Sequence, residues 1–87
     1  MDEAILKARQ AIETVHEGYP AFPSMLDNLA NKLGYRFTQS GRIEDLEEAI
    51  RKSEQALKTT PKGHPELPRM LNNLSINLER NSSIQMT

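Results

Sequence analysis

Two histidines and a crowd of carboxylates are the side chains here whose types could do chemistry. His16 and His64 are the only histidines, and the chain has no cysteine. Neither histidine belongs to a His-Glu-x-x-His pair, so no metal site is expected and His64 reads as a capping or packing residue in a loop. Glu44, Asp45, Glu47 and Glu48 lie close together. Two of them at the right separation could act as general acid and base. At the start of a helix, the same residues also read as solvated charges that favour the helix dipole. Gly18 and Gly63 are isolated, so no phosphate-cradling loop forms around them. Asn81-Ser82-Ser83 fits the glycosylation acceptor pattern, but residues 1–20 show no signal-peptide core, so glycosylation is not expected. These residues do not compose an enzyme, and neither catalysis nor a cofactor is expected.

The elements that carry these residues come from an internal duplication. Shifting the sequence by 45 residues lays 1–33 on 46–78 without a gap, with 15 of 33 positions identical. The matches include Gly18/Gly63, Pro20/Pro65, Pro23/Pro68, Leu26/Leu71, Asn28/Asn73, Leu29/Leu74 and Leu33/Leu78. Shared helical composition does not explain matched glycines and prolines. Each copy reads as helix, break, helix. Apolar residues at helical spacing predict helices over about 2–16, 22–39, 43–60 and 66–80. Pro23 fits only in the first turn of its helix. Gly41 is placed to end that helix in a left-handed cap. Residues 81–87 have lost the pattern and read as a frayed tail. Strand signals are absent. The expected fold is all-α: an antiparallel helical-repeat array of four helices filling residues 1–80.

Composition agrees. The chain has 87 residues, 11 basic and 12 acidic, for a formal charge of −1. With no field of one sign, neither nucleic acid nor an anionic membrane is an expected partner. No apolar run reaches the ~20 residues of a membrane span, so a cytoplasmic protein is expected. A domain this small buries only about 60–65% of its unfolded surface, so its stability margin is thin.

The stretch Leu26-x-Asn28-Leu29-Ala30, followed by Gly41, Ala49-Ile50, Ala56-Leu57 and Pro61, resembles a tetratricopeptide repeat. The 45-residue period is longer than the family's common 34. Gly63-His64-Pro65 with Leu71-Asn72-Asn73-Leu74 is similar to the longer variants of kinesin light chains. Together with Leu46-Glu47-Glu48-Ala49-Ile50, it is similar still more to fungal proteins that fuse such arrays to nucleotide-binding domains. The resemblance implies a phase of half a repeat, one full repeat and half a repeat. It also implies a protein-interaction scaffold that holds a peptide or helix in a groove between the second and fourth helices. By that resemblance the groove residues are Asp27, Asn31, Lys32 and Tyr35, with Asn72, Ile76 and either Glu79 or Arg80 in the next copy. Asn28 and Asn73, set among core leucines, read as hydrogen-bonders between helices.

A second expectation is self-assembly. The first helix lacks the neighbour that would precede it in an array, and the fourth lacks the one that would follow. Apolar residues on these helices, Ile5, Ala8 and Ile12 on the first and Leu71, Leu74 and Leu78 on the fourth, are the expected interface of a homo-oligomer, either a dimer or a head-to-tail assembly.

Overall fold

The computed structural model describes residues 3–85 and is all-helical. The helices are α1 (Glu3–Glu13), α2 (Phe22–Ser40), α3 (Ile43–Thr59) and α4 (Leu67–Gln85). Adding the 45-residue period to the bounds of α2 gives the bounds of α4. The duplication is therefore structural as well as sequential. Successive helices run antiparallel and form an array of half a repeat (α1), one full repeat (α2 and α3) and half a repeat (α4). The extents are 40 × 31 × 14 Å, a flat slab.

Local chemistry sets the helix ends. Pro23 lies in the first turn of α2, where its missing N–H costs nothing. Gly41 takes φ 73° and donates its N–H to the Phe37 carbonyl at 2.8 Å, closing α2 in a left-handed cap. α1 stops at Glu13 rather than at 16. There the Thr14 and Val15 N–H groups reach back only three residues, to the carbonyls of Ala11 and Ile12. The turn has tightened toward 3₁₀ geometry, and the Thr14 hydroxyl also donates to Ala11 O at 2.7 Å. α4 continues through residues 81–85 instead of fraying. The repeat's own helix length persists there although sequence identity is lost. Residues 86–87 of the expected tail and residue 2 of the first helix lie outside the described residues.

The core is built where α2 and α3 share the most extensive interface. One cluster joins Ile5, Leu29, Leu33 and Ala49, with Ala8 and Ile12 packed against it. The other joins Phe22, Leu26, Ala56 and Met70, with Ile12, Val15 and Leu57 at its edge. The alanines let leucines of the facing helix seat against backbone, the close packing that protein interiors require. Ile5, Ala8 and Ile12 therefore turn inward onto α2 and do not form an outer face of α1. The apolar residues α1 presents outward are Ala4, Leu6 and Ala11.

Two ion pairs brace the core from outside. Arg36 forks onto Asp45, with Nε to Oδ2 at 3.0 Å and Nη2 to Oδ1 at 2.8 Å, and pins α2 to the first turn of α3. Arg9 forks onto Glu48 through its two terminal nitrogens, Nη1 and Nη2, and ties α1 to α3. Asp45 and Glu48 are thus paired, and Asp45 is buried. Only Glu44 and Glu47 of the acidic group are the solvated charges that the sequence led us to expect. Hydrogen bonding to arginine holds both paired carboxyls below their ordinary titration range, against the opposing effect of burial.

Candidate functional site

α2 and α4 run side by side in parallel and meet lightly. A polar chain joins them near their N-termini. The Ser24 hydroxyl donates to Glu66 Oε1 at 3.0 Å, and Arg69 bridges Glu66 to Asp27. The Asn73 amide donates to both Asp27 oxygens at 3.3 Å. Asp27 is 1% exposed. A carboxylate so buried needs its partners, and these residues supply them. Asp27 therefore joins the two helices and does not face the groove as the family pattern implies. Asn73 bonds between helices as expected, whereas Asn28 is exposed.

Further along the two helices lies a cleft of about 160 Å³ lined by Asn31, Gly34, Tyr35, Asn73, Ile76, Asn77 and Arg80. Asn31, Tyr35, Ile76 and Arg80 were named from the sequence, and they come together here. Lys32 and Asn72 do not line it. Gly34 lets the two helices approach closely beside the cleft: a Cβ there would meet Asn77 Oδ1 at 2.9 Å. Asn77, 3% exposed, accepts from Arg80 Nη1 at 3.3 Å, which steadies the guanidinium at the rim. Tyr35 is 65% exposed and Ile76 36%, a large apolar offering beside amide groups and one cation. Sequence reasoning missed Gly34 and Asn77. The signal for Gly34 was a glycine inside a helix, which costs about 1 kcal/mol relative to alanine and so marks a close approach.

A larger cleft of about 350 Å³ opens at the loop end, where Glu17–Pro20 faces Thr59–Pro61 and His64. Its polar groups are mostly committed to the fold. Thr60 Oγ1 donates to the Ala56 carbonyl at 2.6 Å, and His64 Nδ1 accepts the Glu66 N–H at 3.1 Å. His16 Nδ1 accepts the Gly18 N–H in the first copy, also at 3.1 Å. His64 thus serves as the loop capping residue that its position suggested. Among the described residues, no group of three histidine or acidic side chains is placed to hold a metal ion. Among the same residues, no helix is long and apolar enough to cross a membrane.

On the outer surface of α4, Leu71 and Leu78 are exposed and Leu74 is half-buried, as a stripe along one side. No family model, curated protein or solved structure matches the chain.

Proposed function

We propose that this chain is a protein-interaction module of tetratricopeptide type that takes an extended, carboxylate-bearing peptide in the cleft between α2 and α4. The observation that carries the reading is the convergence of Asn31, Tyr35, Ile76 and Arg80 on one cleft, beside the close approach of the helices at Gly34. Each lining group has a task. A primary amide offers a donor and an acceptor, the pairing that a peptide backbone presents. Arg80 supplies the cation for a carboxylate, and its planar fork suits that group. Tyr35 and Ile76 give apolar area that is otherwise spent on solvent. The reading contains no catalytic step and no cofactor. It places the module in the cytoplasm, where a chain without disulfides is at home.

The test is an arrayed library of random acidic peptides probed with the wild-type chain and with Tyr35→Ala and Arg80→Ala. These side chains lie outside the core, so the variants keep their helix content. We expect a subset of peptides to bind and each variant to lose at least about tenfold in affinity, the scale of a hot-spot residue. Binding that both variants retain would place the partner elsewhere, and a library without binders would remove the groove reading.

A further inference from the structure

The two copies of the repeat put equivalent leucines in opposite circumstances. Leu26, Leu29 and Leu33 of α2 are 1%, 1% and 0% exposed. Their counterparts 45 residues on are Leu71, Leu74 and Leu78 of α4. Leu71 is 55% exposed and Leu78 45%. The first set is covered by α3, with Leu29 and Leu33 in one cluster with Ala49 and Leu26 in another with Ala56. Both alanines are fully buried, while their counterparts in α1, Ala4 and Ala11, are exposed. The chain thus carries its most extensive interface twice. The second time, the leucine side is on α4 and the alanine side on α1; Leu71, Leu78, Ala4 and Ala11 stand exposed and Leu74 is half-buried. They do not meet within one chain, because α1 packs on α2 and α4 on α3.

We infer that α4 of one chain packs on α1 of a second copy in the register that α2 and α3 already use, joining copies head to tail. Leu74 and Leu78 then meet Ala4 of the second copy, and Leu71 meets Ala11. The flanking contacts follow by the same offset. The Asp27–Asn73 link becomes Asn72 facing Asn28 of the second copy, two exposed amides that each donate and accept. The close approach of Gly34 and Asn77 becomes Glu79 facing Lys32 of the second copy, an opposite-charge pair in which the flexible Lys32 side chain moves aside for the Cβ that Gly34 lacks. The Arg9–Glu48 pair becomes Glu54 facing Glu3 of the second copy, a like-charge pair at the exposed edge. That one mismatch weakens the junction and reports its register. A two-fold pairing of α4 on α4 would set leucine against leucine and leave Ala4 and Ala11 in water. The leucine-on-alanine pairing buries both surfaces in a geometry the chain already adopts. A head-to-tail contact of this kind is heterologous, so it propagates or closes into a ring.

Sedimentation of the full chain over a concentration series tests this, with helix content followed by circular dichroism. The wild-type mass should rise with concentration. Leu71→Asp blocks the α4 side and Ala11→Glu the α1 side, both at exposed positions, so each variant should be a folded monomer. Mixed in equal amounts, the two should form a dimer and nothing larger, because one unblocked α4 and one unblocked α1 remain. Glu54→Arg should tighten the assembly by about threefold by rebuilding an arginine–glutamate pair with Glu3 of the next copy. A wild-type chain that stays monomeric overturns the inference. So does an Ala11→Glu variant that still associates, which is the signature of two-fold pairing, or a mixture that stays monomeric.

Discussion

At the scale of single residues, the duplication supplies its own controls, because each position can be read against its counterpart. Ser53 is 1% exposed and its hydroxyl has no hydrogen-bond partner, whereas its counterpart 45 residues earlier is Ala8. A buried hydroxyl left unpaired costs about 1–3 kcal/mol, and alanine is also the better helix former. Ser53→Ala should therefore stabilise the chain by about 1 kcal/mol and raise its melting temperature by roughly 4–8 °C. A melting curve that stays put or moves down would show that the Oγ is satisfied in solution. The same comparison shows what could not be read from the sequence. Asp27 and its counterpart Asn72 have the same helical phase, yet one is buried and the other exposed. Only α4 brings Arg69 and Asn73 to Asp27, so the difference depends on a neighbour 42–46 residues away. By contrast, the Gly41 cap and the place of Pro23 were legible, because backbone geometry dictates both locally.

At the scale of elements, apolar spacing sufficed to place the helices, but their bracing was hidden. The carboxylates at the start of α3 looked like ordinary dipole partners. Their arginines lie 9 and 39 residues away in sequence and come to them only through packing. That bracing has a pH signature. Both carboxyls titrate below their ordinary values when folded, because arginine donates to the charged form. The unfolded chain therefore binds more protons in this range, and stability rises with pH across it. The contribution is complete above the ordinary carboxylate range. It falls away as pH drops through about 4 and on toward the folded values. The double variant Asp45→Asn, Glu48→Gln should lose on the order of 1 kcal/mol at neutral pH. It should also show a flatter decline in unfolding free energy between about pH 5 and pH 3. Denaturant midpoints measured across that range check both points, and a decline as steep as the wild type's would assign the acid sensitivity to other groups.

For the whole molecule, the array is held unevenly, because each helix is only as secure as the neighbours covering it. α2 has α1 and α3 against it and carries most of the buried leucines. α1 packs on α2 alone apart from the Arg9 clasp on Glu48, and its one fully buried side chain is Ile5. α4 contributes Met70 and Asn77 to the buried set and leaves Leu71 and Leu78 outside. In a linear array the stability of each unit follows from its contacts with its neighbours. Opening should then proceed from the ends, with α1 releasing before the α2–α3 hairpin. Hydrogen exchange on the monomeric Leu71→Asp variant should show the amides of α2 and α3 as the slowest, those of α4 as intermediate and those of α1 as the fastest. Head-to-tail association should slow exchange selectively in α1 and α4 of the wild-type chain as its concentration is raised, because those are the faces that a second copy covers. Protection that rises evenly along the chain would mean that the four helices open as one unit, and the uneven packing would then have no energetic consequence.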